Sequence, residues 1–494
     1  MRAVRLVPAV VVLLALGGIA GAAELARPGA AIASPGISVT RQVPVTSAVR
    51  ACPPAQDGPG ALALIAAPGA AGRAEGSQGQ AELAPLHPAG AQPRAVGPVS
   101  QKNPGVLSLL TLPAATGASR KGTVPEGWSV TATGTMAGAM EAEVTQGSGL
   151  ATVRCGEPGS QIWFVGPGSR SGAAKVTLDL MNIDALPASV GVTIITDAGP
   201  TQAGNGTAIT VPPHQMVTEA LSAAAVGASV VAVEVRTTIG RVAANVSESA
   251  SGGPASWLPS AAPPSTRLVI PGVPPSGHAA GLFLVVPGGA NAKVTVLAIT
   301  PQGQYRPFGS QTVDLPGESA SYVALTPLGG AAAALQITAD VPVTAAVLVS
   351  GSGVGAFATA TPPVSEQAVV AGNVTGSGFA ASVALSAPAS AARVRLTEIA
   401  PASSARAGPS VTASQIVSVR AGHTLVAPAT APRGAKRGSA FSLVITPLAG
   451  SGPLYAARVE TQGQGTVVSI IPAISALTTL RLPPVRDSYD AISS

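Results

Sequence analysis

A pattern of five residues returns three times at intervals of about a hundred: "VAANV" at residues 242–246, "VTAAV" at 343–347 and "YAARV" at 455–459. In a chain rich in Ala and Val, such a match means little alone; its order among other markers is what constrains the fold. Each copy opens with an apolar stretch ending in Gly, namely "IWFVG" (162–166), "LVIPG" (268–272) and "AVVAG" (368–372). Alternating segments follow: "LDLMN", "LFLVVPG" and "VALSAP", then "VGVTIIT", "VTVLAIT" and "VRLTEIA". The last apolar residues before the next turn are Val211, Leu315 and Val419, spaced 104 and 104. Colinear markers at near-constant spacing define tandem structural repeats.

Within each copy, runs of five to seven residues with period-two alternation are separated by Gly, Pro and Asn turns, which describes β-strands in a sandwich. The expected fold is all-β: three tandem immunoglobulin-like sandwiches at 166–266, 267–367 and 368–486. An irregular or diverged β-rich domain with long loops precedes them at 37–165, and a tail follows at 487–494. Between Cys52 and Asn103 the Ala/Gly/Pro/Gln composition reads mostly as loop. A radial arrangement with each repeat a propeller blade is the competing geometry, but a period near 104 is about twice that of a blade. In the sandwich reading Ala244, Ala345 and Ala457 point inward between two sheets. Their neighbours Asn245, Ala346 and Arg458 face outward on the next pleat.

The N-terminus, "MRAVR" followed by an uncharged run at residues 6–23, is read as a signal peptide or N-terminal membrane anchor (1–23). "AGA" at 20–22 offers a cleavage site, and the flanking Arg residues hold that end inside. Either outcome places the rest of the chain outside the membrane, secreted or tethered at the cell envelope. The only cysteines, Cys52 and Cys155, favour a disulfide in an exported protein over a metal site that two ligands cannot complete. Two unpaired thiols are the alternative.

The net charge of +6 is spread over a chain only 10% charged and 3% aromatic, so a nucleic-acid surface is not expected. No GxSxG, HExxH, Walker A or EF-hand sequence occurs, and the chain reads as a non-enzyme without cofactor, catalytic residues or metal ligands. "GSGFAA" (376–381) fits a relaxed dinucleotide pattern but lies between strands, where a turn is the plain reading. His214, Glu318 and His423 fall in equivalent turns; His87 and His278 lie in Pro- and Gly-rich segments and read as solvated. Asp179, Asp184 and Asp197 come nearest to an acidic cluster. Trp163 is expected as a core anchor, with a binding aromatic as the alternative. Asn205, Asn245 and Asn373 match glycosylation sequons that composition alone accounts for.

The "CP" at Cys52, the "RCGEPGSQIWFVGPG" block from Arg154, "LVIPG" and the "VAAxV" strand together resemble secreted actinobacterial proteins of the domain-of-unknown-function 5719 family, over residues 40–485 or so. The resemblance implies an exported or membrane-tethered β-rich envelope protein and supplies no catalytic residue. It departs from the family pattern where "VALSAPASAARV" has Ala-Pro for an Asn-Pro turn. The expected role is a multi-domain scaffold or interaction module for an envelope protein or polysaccharide. The alternative is a carbohydrate-binding or carbohydrate-active protein with a site built from loops.

Overall fold

The computed structural model describes residues 41–482 apart from internal stretches, the longest being 69–77, 90–98 and 113–126. Residues 1–23 and 487–494 lie outside the described residues. Among the described residues the chain is all-β, with one short α-helix at Ser222–Ala225 and two single-turn 3-10 helices. It divides into a body of residues 44–479 and a small end unit in which Arg41–Pro44 pairs with Thr479–Leu482.

Repeat 1 shows the plan. Its first strand, Gln161–Pro167, pairs with Val230–Ile239, then Ala188–Thr196, then edge segments Gly199–Gln202 and Ile209–Val211. The facing sheet runs Ala255–Leu258, Ala243–Ser249, Lys175–Asn182, Gln215–Ala220. Counting the split edge as one strand, the first sheet holds the first, sixth, third and fourth strands, and the second holds the eighth, seventh, second and fifth. Repeats 2 and 3 reproduce this order. In repeat 2 the sixth and seventh strands are one continuous strand, Ala333–Ser350, that passes from sheet to sheet.

The N-terminal region has the same order. Ser47–Cys52, Gly127–Thr133, Ala81–Pro88 and Val99–Gln101 form one sheet; Ala151–Arg154, Met140–Gln146, Gly60–Ala66 and Ser108–Leu112 form the other. Residues 53–103, expected mostly as loop, therefore contain two core strands, Gly60–Ala66 and Ala81–Pro88. A further shared detail confirms the equivalence. In each sandwich the chain beyond the eighth strand returns to hydrogen-bond at the first: Gly156 N–H to Ala51, Ala261 to Trp163, Thr361 to Val269 and Ala476 to Gln367 (2.8, 2.8, 3.1 and 2.8 Å).

The seventh strands answer the recurring pattern. Val242, Ala244 and Val246 pack with Leu178 and Leu180 inside repeat 1, and Val343, Ala345 and Val347 with Leu282 and Leu284 inside repeat 2. Met140, Ala142 and Val144 do the same against Leu62 and Leu64 in the N-terminal sandwich. In repeat 3 the register expected for "YAARV" is off by one. Leu385 pairs with Ala456, not Ala457, and Leu454 and Ala456 enter that core while Ala457 and Val459 face repeat 2. Arg458 thus occupies the position held by Val246 and Val347. It is fully buried, donating to the carboxylate of Glu460 and to Ser469 Oγ (3.2 Å).

The outward positions are not outward in the body as a whole. Asn245, Ala346 and Arg458 are all buried, at 3%, 0% and 0% exposure, which corrects their expected solvent placement. Each sandwich lays its first sheet on the second sheet of the next. Phe283, Val285, Ala320, Ala346 and Phe357 of repeat 2 complete the core of repeat 1. Val269, Ile299 and Ala334 of repeat 2 meet Tyr455 of repeat 3. Repeat 3 then meets the N-terminal sandwich through Val369, Ala371, Ile399 and Val444 against Ala63 and Ile65. The N-terminal sandwich meets repeat 1 through Ala51, Leu86, Met181, Met216 and Ala243, with Gln215 and Met216 pairing in parallel with His87 and Pro88. The four sandwiches close into a ring. The radial geometry set against the tandem reading is therefore present, with each repeat contributing two sheets.

The Gly that ends each opening motif serves this packing. A Cβ on Gly166 would lie 2.1 Å from Leu258 of its own repeat, and one on Gly272 (φ +81°) would lie 2.6 Å from Ala457 of the next. Only Gly allows both approaches.

Candidate functional site

The four eighth strands meet in sequence around the ring: 151–154 with 255–258, 255–258 with 355–359, 355–359 with 466–472, and 466–472 with 151–154. A cavity of about 230 Å³ lies beside three of them, walled by Arg50 and residues 152–157 of the N-terminal sandwich, 161–164, 244–245, 257, 259–261 and 263 of repeat 1, and 471, 472, 474 and 475 of repeat 3. The first and eighth strands, being innermost in every sheet, position these side chains.

Two tryptophans stand in the wall. Trp163 is on the first strand of repeat 1, Trp257 is on its eighth, and both are at most 5% exposed. Neither indole Nε1 has a hydrogen-bond partner among the described residues, nor does the Oδ1 of Asn245 in the same wall. An unpaired buried donor costs about 1–3 kcal/mol, and all three atoms are shielded from the open space of the cavity. The cations of the wall are occupied. Arg50 pairs with Glu157 at 3.5 Å, and Arg154 binds the carboxylate of Glu141 and the Ile474 carbonyl (3.4 Å). Glu157 is the one carboxylate among the described lining residues, so the facing carboxylate pair that glycoside hydrolysis uses is not assembled there.

The Cys52–Cys155 disulfide is formed and Cys155 lines the cavity. It fastens the end of the first strand to the residue after the eighth, beside the Ala51–Gly156 bridge. Closing a loop of 103 residues is worth about 4–5 kcal/mol in the chain-entropy model.

The other candidate residues are dispersed. Asp184 holds Arg241 through two contacts of 2.9 and 3.0 Å, which keeps its carboxyl below the usual range, and Asp197 accepts from Ser229 N–H at 3.1 Å. Asp179 is buried and accepts only from Thr218 (2.8 Å); burial pushes its pKa up to about 6 against that hydrogen bond. Burial likewise raises Glu248 to about 7. His214 (φ 54°) and Glu318 (φ 51°) hold the left-handed position of their turns. In repeat 3 Gly422 holds it, and His423 stands one residue further on. His87, expected solvated, is half-buried in the strand Ala81–Pro88. "GSGFAA" is a turn, with positive φ at Gly376 and Gly378, leading into a strand. Asn245 and Asn373 are buried, so neither sequon can carry a glycan in the folded protein; Asn205 and His278 lie outside the described residues. Among the described residues no group of three or more His, Cys, Asp or Glu is placed to hold a metal ion.

Trp257 and Arg154 were not singled out from the sequence as site residues. The signal that finds them is positional: both lie on eighth strands, the innermost elements of a ring.

Fold and site define a class, an all-β protein of sandwiches closed into a ring, with a cavity where the N-terminal sandwich, repeat 1 and repeat 3 meet. The profile of a family of unknown function, DUF5719, matches residues 115–430, and the chain belongs to that family. The match begins within the N-terminal sandwich and ends in repeat 3. No curated protein matches the chain.

Proposed function

We propose that this is an exported, non-catalytic cell-envelope protein that acts as a β-sandwich scaffold or interaction module. The observation that carries the reading is the Cys52–Cys155 disulfide, which joins the only two cysteines of the chain. Such a bond persists in an oxidising compartment, in keeping with the charged and apolar N-terminal segment. A role in interaction is supported by how the sheets are spent. Neighbouring sandwiches cover both faces of the inner strands, leaving turns, outer edge strands and the cavity for partners. Among the described residues no helix is long and apolar enough to cross a membrane, so tethering rests on the N-terminal segment.

Fractionation of cells expressing the full-length chain, with thiol titration under denaturing, non-reducing conditions, tests the reading. The expected result is an extracytoplasmic protein with no free thiol. A cytoplasmic chain with two free thiols would overturn it.

A further inference from the structure

We infer that the outer edge strand of repeat 3, Ser410–Val419, pairs antiparallel with the same strand of a second copy of this chain, joining two rings through one sheet. This deepens the interaction-module reading by naming a partner; it rests on that reading and not on export.

In every sandwich the fourth strand ends its sheet, and in three of the four it is guarded. In the N-terminal sandwich it is the three-residue Val99–Gln101. In repeat 1 it is broken into Gly199–Gln202, with Pro200 inside, and Ile209–Val211. In repeat 2 it is broken into Gly303–Tyr305 and Val313–Leu315. Short, interrupted or proline-bearing edges keep sheets from pairing with other chains. Repeat 3 has none of these devices. Ser410–Val419 runs unbroken for ten residues, pairs along its whole length with Ala392–Pro401, and holds no Pro, Gly or charged residue. Thr412 to Ile416 are all exposed, and among the described residues no backbone hydrogen bond reaches this strand except from Ala392–Pro401. Every second residue of an antiparallel edge strand turns its N–H and C=O away from its sheet, so about five residues here are open to another strand.

The sequence of the strand points to its occupant. "SVTASQIVS" (410–418) is nearly a palindrome about Ser414: Ser410 matches Ser418, Val411 matches Val417, and Thr412 and Ile416 are both β-branched. A twofold axis through Ser414 sets these residues opposite each other, the self-complementary arrangement of an isologous dimer. Val411 and Val417, both packed against the core of repeat 3, then meet on the inner face. Thr412 and the half-exposed Ile416 meet on the outer face. With no charge on the strand, nothing opposes its copy and nothing there selects a charged partner segment.

The full-length, oxidised protein in mild detergent is weighed by sedimentation at about 50 µM. Ser414→Lys is compared with Gln202→Lys on the split edge of repeat 1. The wild type and Gln202→Lys are expected to be dimers. Ser414→Lys sets two like charges face to face and is expected to weaken the dimer about tenfold or more. Ser414 is exposed, and melting curves check that the variant folds. That variant also supplies the single ring for scattering.

Register is read by cysteine cross-linking, since both native cysteines are held in the disulfide. Ser414→Cys places the new thiol opposite its copy, within disulfide reach, and is expected to give a covalent dimer under mild oxidation. Ser410→Cys places the two thiols about 27 Å apart and is expected to give none. A wild-type monomer, a dimer indifferent to Ser414→Lys, or equal cross-linking by both cysteine variants overturns the inference. So does a monomer whose edge takes up an unrelated extended peptide. Failure here would leave the export and scaffold reading to the fractionation experiment.

Discussion

The junction between repeats 1 and 2 and the junction between repeat 3 and the N-terminal sandwich occupy equivalent places in the ring but are built from different chemistry. The first is aromatic and aliphatic: Phe283, Val285 and Phe357 fill the gap against the first sheet of repeat 1. The second is aliphatic, with Val369, Ile399 and Val444 against Ala63 and Ile65, and a buried carboxyl group crosses it. Glu143, on the seventh strand of the N-terminal sandwich, accepts the N–H groups of Ala371 (2.9 Å) and Gly372 (3.2 Å). Those donors are free because the ladder between Ala368–Asn373 and Phe441–Pro447 shifts register between Val370 and Asn373. Burial raises the Glu143 pKa, opposed chiefly by the positive charge of Arg458. Glu141 with Arg154, and Arg458 with Glu460, extend the charged cluster on either side.

The difference follows from what each junction must do. Repeats 1 and 2 are consecutive, so the chain itself delivers the two sheets to each other and nondirectional apolar burial suffices. The closing junction joins strands some 230 residues apart. A carboxylate that fits only two particular N–H groups fixes one register there, since a slip would leave it buried and unpaired.

The comparison breaks most sharply at Glu143. Glu143→Leu strands two buried N–H groups and removes a counter-charge of Arg458. The expected loss is about 5 kcal/mol or more, from the cost of breaking a buried pair and leaving donors unsatisfied. Chemical denaturation should show it, with the N-terminal sandwich and repeat 3 separating first in hydrogen exchange. Phe283→Ala at the apolar junction is expected to cost about 3–5 kcal/mol without separating those two.

The junction of the N-terminal sandwich with repeat 1 sharpens the contrast, because Asp179 stands on the same face as Met181 there, with the Thr218 hydrogen bond and the charge of Lys175 too weak to offset its burial. Its folded pKa of about 6 lies above the ordinary 3.8, so the folded state holds the proton more tightly. The Asp179 contribution to stability should therefore fall as pH rises from about 4 to about 6 and stay level above, an effect of roughly 2–3 kcal/mol, while Glu248 carries a separate fall up to about pH 7. Asp179→Asn should remove this slope and stabilise the protein at pH 8 by a similar amount, read from melting curves at pH 4 and pH 8. The smallest expected effect is Ala346→Leu, about 1–3 kcal/mol from overpacking between repeats 1 and 2.

How far the sequence could be read depends on what each strand had to satisfy. The inward pattern of repeats 1 and 2 was legible because Val242, Ala244 and Val246 answer only to their own core. In repeat 3 Arg458 stands where Val belongs, since it serves the charged cluster, and "YAARV" then aligns one residue out. The fourth copy was hidden for a related reason. Its strand reads "MEAEV", which keeps Ala142 and Val144 inward but puts Glu141 and Glu143 at the junction positions, where repeats 1 and 2 carry Ala243, Asn245, Thr344 and Ala346.

Closure itself left a trace in composition. Strands such as "LFLVV" are apolar on both faces, as strands covered on both sides are. A chain only 10% charged has little with which to solvate four separate sandwiches. The cavity was not legible at all, because Trp163 and Trp257 are 94 residues apart and meet Arg154 and Ile474 only when the ring closes.

Small-angle X-ray scattering of the chain from residue 41 onward tests closure most directly. A closed body of residues 44–479 predicts a radius of gyration of about 22 Å, slightly enlarged by the tail. A value near 40 Å, expected for four such sandwiches in an open row, would contradict the ring.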